Sequence, residues 1–438
     1  MRELKSPCVV VMTEVEYENS RKEDLPVVCE LRGKDLNDTP YKIVQIKGLT
    51  TSWAIKNNVE SGVTTLFASN SFINDEANEL VISKGQAIEL GGATKVISNA
   101  TRRLTANSIE STSRKLLSGT KKVLVIRAVV SGGPATTASE PQLRNDVFVD
   151  SVNLRRQMKS CSRGQLILQP ATSPQIGMDG VHTVTLTTAS ASWVSITNSM
   201  ITRATIDLGP LSAITNYVIL CFPPGTVPGG LISVAYVNSW LSGFNNEWCR
   251  SPSAQLRNFG YNINFGNSLN DDSCLMGGAL TPYTPSTDNF PRKCYNGPKS
   301  YQAGWYSPFH VNLPMGGSYN WNGYLVGFAE ASSASSTDKM IIRISSLSGD
   351  TYIHFNRQIG MNINVPTNGN KVLVSSRPPG LGFASSTLVA ALDYTVLGAG
   401  DDYSIFNFYG MTLTITVLDI IQDPAPAPWR ASISIEHS

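Results

Sequence analysis

A chain of 438 residues with 41% hydrophobic and only 16% charged residues is long enough for two or three domains, each with its own core. Its formal net charge of +2 gives no basis for binding nucleic acid or an anionic membrane surface. No apolar run reaches the length of a spanning helix, and the low charge count predicts a β-rich molecule with a surface of Ser, Thr, Asn and Gly.

In chain order, residues 1–115 come first. Alternating runs at Cys8–Met12, Tyr41–Ile46 and Leu80–Ser83, separated by Gly, Asn and Asp, predict a small antiparallel β domain. A polar, basic connector follows over Thr101–Lys115. Residues 116–310 open on a buried-strand pattern, Lys122–Val130, continue with a helical stretch near Val147–Lys159, and carry further strands at Val181–Leu186 and Tyr217–Phe222. That alternation predicts a mixed sheet with helices. From residue 311 to 438, short alternating runs at Lys339–Ile344, Thr351–Phe355, Lys371–Val374 and Met411–Val417 predict a β-sandwich, and the tail Asp423–Trp429 is proline-rich and extended. The expected fold class is therefore α+β and multidomain.

The segment Gln255–Ser268 has the frame of a metal-binding helix. Such a helix places two histidines four residues apart on one face, with a glutamate general base beside the first. In the extended form a Gly or Asn turns the chain out of the helix, and a third histidine follows six residues after the second. In this chain those positions hold Arg257, Asn258, Tyr261, Asn264 and Asn267, on a helix expected from about Ser251 to Ile263 with Pro252 suited to its first turn. A guanidinium is a fixed cation that repels a divalent metal, and neutral amides are poor ligands. A neutral Asn258 is unable to take a proton from metal-polarised water.

Trp248-Cys249, the degenerate helix, Cys274–Gly277 and Arg292–Tyr306 together resemble the gametolysin family of metzincin metallopeptidases, and Val123–Arg127, Val152–Leu154, Cys161–Leu166, Cys221–Gly225 and Ala235-Tyr236 also fit it. The resemblance covers residues 120 to 310 well and the flanks more loosely. It implies an N-terminal propeptide-like β domain and a metzincin-like α/β domain. It also places zinc histidines at Arg257, Tyr261 and Asn267, the general base at Asn258, the turn residue at Asn264 and a methionine turn at Met276. The scaffold positions match and all four chemical positions depart, so the resemblance implies a pseudopeptidase with no metal, no cofactor and no catalytic residues.

Other ligand sources are sparse. His182, His310, His354 and His437 are widely separated, with no i,i+4 pair, and are expected as surface or satisfied core residues. Asp271 and Asp272, followed by Cys274, could form an oxygen-rich or mixed site, although an acidic pair before a turn more often caps a loop. Glu247 beside Trp248 is expected to be structural. Nucleophile-elbow, phosphate-loop and dinucleotide fingerprints are not apparent.

Seven cysteines predict bridges. Cys8 with Cys29 is expected in the N-terminal region. Cys274 with Cys294 would clamp a wall of the former cleft across the Asp288–Pro291 loop, and Cys161 with Cys221 is the next pair, which leaves Cys249 as the odd thiol, free or paired between chains; the alternative is that all seven are reduced, buried small hydrophobes. Asn37-Asp-Thr39 and Asn99-Ala-Thr101 have the form of glycosylation acceptors. The first residues lack the apolar core of a signal peptide; the cysteines and the resemblance nevertheless favour an extracellular or cell-surface location. The expected roles are a protein- or peptide-binding pseudopeptidase that adds an extended peptide to a sheet edge, or a self-assembling structural component of a wall, matrix or surface. The alternative is an active zinc endopeptidase with an unorthodox ligand set.

Overall fold

The computed structural model describes residues 1–18, 25–92, 117–176, 180–188, 192–225, 230–277, 292–314, 316–378, 385–393 and 400–438. The second glycosylation triplet, the connector expected at Thr101–Lys115 and the Asp288–Pro291 loop lie outside the described residues. Asn37 stands exposed in a left-handed turn, φ 52°.

The first ninety residues form β1 (Arg2–Glu3), β2 (Cys8–Tyr17), β3 (Pro26–Glu30), β4 (Ile43–Thr50), helix α1 (Thr51–Lys56), β5 (Thr65–Phe67), β6 (Ser71–Asn74), β7 (Glu79–Ile82) and β8 (Glu89–Gly91). Strand β2 reads as a near-continuous apolar run because both of its faces are covered. Cys8, Val10 and Met12 enter one core, and Val9, Val11 and Val15 enter another.

The next unit comprises β9 (Gly119–Val130), α2 (Glu140–Arg144), α3 (Leu154–Cys161), β10 (Leu166–Pro170), β11 (Val181–Leu186), α4 (Trp193–Leu208), β12 (Tyr217–Phe222), β13 (Leu231–Tyr236), β14 (Leu241–Asn245) and α5 (Pro252–Asn262). Strands β10, β11 and β12 run parallel to β9, β14 runs parallel to β12, and β13 lies antiparallel beyond β14. The stretch expected as one helix near Val147–Lys159 is broken. A π turn over Asn145–Val149 ends before α3, because the Asn153 side chain accepts from the Arg156 amide at 2.7 Å and starts a new helix there. Helix α4 covers one sheet face with Val194, Ile196, Met200 and Ile201; α3 and α5 cover the other with Met158, Leu256 and Phe259.

Strand β2 pairs antiparallel with β13, so that Val15 faces Val234 and Glu16 faces Ser233. One continuous fourteen-stranded sheet therefore crosses the boundary drawn at residues 115/116. Both cores run through this junction, and Tyr41 of the first unit packs edge-on against Trp240 of the second at 5.4 Å.

Beyond α5 come β15 (Ser268–Leu269), α6 (Gly297–Gln302), β16 (His310–Leu313), β17 (Tyr319–Val326), β18 (Ile341–Ile344), β19 (Asp350–Asn356), β20 (Lys371–Arg377), β21 (Ser386–Leu392), β22 (Asp402–Phe408), β23 (Met411–Ile421) and β24 (Arg430–His437). They make a six-stranded sheet, β15-β21-β20-β19-β18-β16, and a four-stranded sheet, β17-β24-β23-β22. The two sheets share a core that includes Leu325, Ile342, Phe355, Val374, Leu413 and Ile433, which gives the sandwich-like arrangement expected of this region. The proline-rich tail ends against this unit, where the Arg357 guanidinium lies 3.5 Å from the centre of the Trp429 ring.

Three disulfides form, and two of the expected pairings are corrected. Cys8 and Cys29 are bridged across β2 and β3 as anticipated. Cys294 is bonded to Cys161 rather than Cys274, because the last turn of α3 faces the Cys294 segment and Gln157 of α3 holds it through the Lys293 carbonyl at 3.1 Å. Cys221 is bonded to Cys249 rather than Cys161. It closes β12, whose parallel neighbour β14 leads directly into the turn that carries Cys249. The free thiol is Cys274, not Cys249. It is buried, within 3.4 Å of the Met276 and 3.3 Å of the Asn296 amides, and burial pushes its pKa up. Thiol titration without reductant should find no reactive cysteine in the native chain and one per chain in denaturant. Replacing Cys161 and Cys294 together by serine, which opens a loop with a sequence separation of 133, should lower unfolding stability in denaturant; a loss of about 2–5 kcal/mol is expected.

Candidate functional site

Helix α5 spans Pro252–Asn262, close to the expected limits. Ser251 caps it, with its hydroxyl accepting from the Ala254 amide, and Pro252 occupies the first turn, where its missing N–H costs nothing. Asn264 takes the left-handed conformation, φ 70°. The Phe265 amide then donates to the Gly260 carbonyl and the Asn264 amide to the Tyr261 carbonyl, each at 2.9 Å, the paired closure of a Schellman end. This turn directs the chain back along the helix and brings Asn267 beside Tyr261.

Every residue of α5 is buried, polar ones included, so each polar group needs a specific destination. Asn262 donates to the carbonyls of Tyr236 at 2.9 Å and Leu241 at 2.8 Å, which fixes the helix over β13 and β14. Gln255 donates to the Cys249 carbonyl at 2.6 Å. Asn258, at the general-base position, accepts from the Ser233 hydroxyl at 3.2 Å.

The three positions that the resemblance assigns to zinc ligands converge. Asn267 Oδ1 accepts from the Tyr261 hydroxyl at 2.7 Å and from Arg257 Nη2 at 3.3 Å. The Arg257 guanidinium also donates to the carbonyls of Leu275 and Gly277 on either side of Met276, and it forms an ion pair with Glu16 of β2. Both charged side chains are nearly sealed from solvent, with 10% and 12% exposure. Burial and the nearby carboxylates of Glu14 and Glu16 hold the Tyr261 phenol neutral, well above its ordinary pKa, against the opposing pull of Arg257. The carboxylate that completes the cluster comes from the N-terminal unit, and the sequence reading did not include it. Its signal was the row Glu14, Glu16 and Glu18 at alternate positions at the end of an otherwise apolar strand.

Met276 lies directly under the helix. A Cβ placed on Gly260 would sit 2.4 Å from the Met276 sulfur and 3.1 Å from the Tyr295 ring, so glycine is required by close approach.

The other candidates are dispersed. His182 lies 3.4 Å from Asp207, His310 meets the Trp305 carbonyl at 2.8 Å, and His437 meets the carbonyls of Gly317 and Phe408. His354 is stacked on Phe328 inside the C-terminal unit, where burial lowers its pKa to about 3. Asp271 accepts from Ser273 and from Asn296 at 2.9 Å, while the Asp272 backbone carbonyl receives Lys293 Nζ at 3.0 Å. Asp271 therefore ties a loop to α6, and desolvation raises its pKa. Glu247 faces Arg250 at 3.4 Å, and Asp146 faces the same guanidinium at 2.8 Å. Among the described residues no three His, Cys, Asp or Glu side chains are grouped as metal ligands.

The residues at the converged site do not fit zinc. The first ligand position holds a permanent cation already matched to a carboxylate, and the other two hold a neutral phenol and an amide that are hydrogen-bonded to each other.

Two substitutions measure how tightly this arrangement is held. Arg257→Leu leaves Glu16 buried beside no cation and should cost about 3–5 kcal/mol in denaturant unfolding, most of it recovered when Glu16→Leu is added. Gly260→Ala should cost about 1–3 kcal/mol through overpacking, partly relieved by Met276→Ala in the same chain.

Comparison with family models, with curated proteins and with solved structures gave no match.

Proposed function

We propose that the chain is a gametolysin-like pseudopeptidase, a non-catalytic building block of an extracellular assembly such as a wall, matrix or cell-surface layer. The observation that carries this reading is the side-chain cluster at the three ligand positions. Arg257, Tyr261 and Asn267 meet as the resemblance requires, and they are joined by hydrogen bonds and a buried ion pair. With Asn258 in place of a general base, the site holds neither a metal-binding set nor a group to deprotonate water.

Between the two roles that a non-cutting protease fold suggests, the structural one has the better support. An edge strand such as β13 is where an extended peptide would be added to the sheet, and in this chain β2 already lies there, with Glu16 reaching Arg257. Three disulfides suit an oxidising compartment, and no helix of the described residues is long and apolar enough to cross a membrane.

Elemental analysis and a generic proteolysis assay test the reading together. The purified chain is expected to carry no stoichiometric zinc and to leave a denatured protein substrate uncut, with or without chelator. One zinc per chain with chelator-sensitive cleavage would establish an unorthodox endopeptidase instead.

A further inference from the structure

At one end of the C-terminal unit, residues 346–348 of the loop between β18 and β19 and residues 405–409 of the β22–β23 hairpin line a cavity of about 330 Å³. That volume falls within the range of small-molecule pockets, roughly 300–1,000 Å³. Three of the lining residues are large, apolar and exposed: Phe406 at 79%, Leu347 at 74% and Tyr409 at 41%. Exposed apolar side chains scattered singly are ordinary, whereas several gathered at one concavity mark a binding surface.

The frame of this cavity is tied together. The Leu347 amide donates to the Tyr409 hydroxyl at 2.6 Å, which joins loop to hairpin, and the Ser348 amide donates to Ser346 Oγ at 3.2 Å. Behind the hairpin the buried His437 ring meets the Phe408 carbonyl at 2.7 Å and packs edge-on against the Phe408 ring. Between Ile405 and Phe408 the register of β22 on β23 shifts, a bulge that takes Phe406 and Asn407 out of the regular alternation. Asn407 and Tyr409 both hold left-handed backbone, φ 56° and 55°. A bulky residue such as tyrosine is strained there, and conformations of that kind gather at ligand clamps.

No residue that lines the cavity is charged. Asp350, the buried carboxylate that accepts from the Ser346 amide, is already paired with Arg343 at 3.0 Å. A phosphate, carboxylate or ammonium would lose hydration here with no opposite charge to meet it. A purely apolar ligand would cover the polar groups of Ser346, Ser348 and Asn407 and leave them unpaired. The ligand that suits both constraints is neutral, with an apolar face and hydroxyl groups around its edge. A pyranose ring has that surface: its C–H face lies on an aromatic ring, and its hydroxyls exchange hydrogen bonds with serine and amide groups. We propose that this cavity binds an uncharged saccharide, with Phe406 as the stacking ring and Ser348 and Asn407 as its hydrogen-bonding partners. The inference goes beyond the non-catalytic reading and does not depend on it.

Affinity electrophoresis of the full chain tests this, in native gels that contain hydroxyethylcellulose, xyloglucan, laminarin or galactomannan. At least one of these neutral polymers is expected to retard the chain. Phe406→Ala, which alters a side chain outside the core, should weaken that binding about tenfold in Kd. Asn407→Ala should weaken it as well, while Tyr324→Ala, an exposed aromatic on β17, should leave it unchanged. No retardation by any of these polymers, or retardation that Phe406→Ala leaves intact, overturns the proposal. Binding restricted to polygalacturonate, an anionic polymer, also overturns it. So does cosedimentation with phosphatidylcholine vesicles in place of polysaccharide binding, which would make the exposed rings a membrane contact. Zinc content and proteolysis are read separately, so failure here leaves the non-catalytic reading standing, and failure of that reading shows in those assays alone.

Discussion

The pairing of β2 with β13 is the contact on which most of the architecture depends. An open sheet edge exposes a row of unpaired amides and carbonyls, and β13 has β14 on one side and β2 on the other. The pairing also lets both hydrophobic layers run from the first unit into the second, with Val9, Val11 and Val15 joining the α4 layer and Cys8, Val10 and Met12 the α5 layer. Its polar part is equally specific: Ser61 donates to the Val237 carbonyl at 2.6 Å, and Asn198 of α4 both donates to and accepts from the backbone of Ile43. Without β2, Arg257 would lose the Glu16 carboxylate that it faces.

The cluster under α5 joins three side chains of the helix and the turn after it by hydrogen bonds and is closed by an ion pair to β2. The helix start, the left-handed Asn264, the Gly260–Met276 contact and the return of the chain to Asn267 bring three side chains together. The helix ends and the Gly260–Met276 contact set the backbone, and the central side chains in turn hold the Met276 segment, Asn267 and β2 to the helix. A buried guanidinium is tolerated because its donors go to two carbonyls, one amide oxygen and one carboxylate.

Much of this was legible because it is local. Ser251, Pro252 and Asn264 announce the ends of α5, and the apolar runs located ten of the twenty-four strands among the described residues, chiefly the longer ones. The break at Asn153 was missed because a cap inside an otherwise helical pattern looks like a continuing helix until its side chain turns back on the Arg156 amide. The Cys274–Cys294 expectation fails because nearness in sequence is not nearness of the sulfur atoms in space. Cys274 and Cys294 run side by side through the Leu275 amide and the Cys294 carbonyl, 3.0 Å apart, yet the Cys294 sulfur is bonded to Cys161 of α3. The partner of Arg257 was hidden for the same reason, since the glutamate that meets it is 241 positions earlier in the chain (257 − 16).

The Cys161–Cys294 bridge has a mechanical meaning. Tension applied to the two ends of the chain passes from Cys161 to Cys294 through the sulfur atoms and bypasses the backbone between them, which includes α5, β12, β13 and β14. Arg257, Tyr261 and Asn267 thus sit inside a closed covalent loop whose backbone lies off the covalent path of that tension, while their partner Glu16 lies outside it. The unit before Gly92, which no disulfide ties to the loop, is the part that a pull on the N-terminus would peel away first.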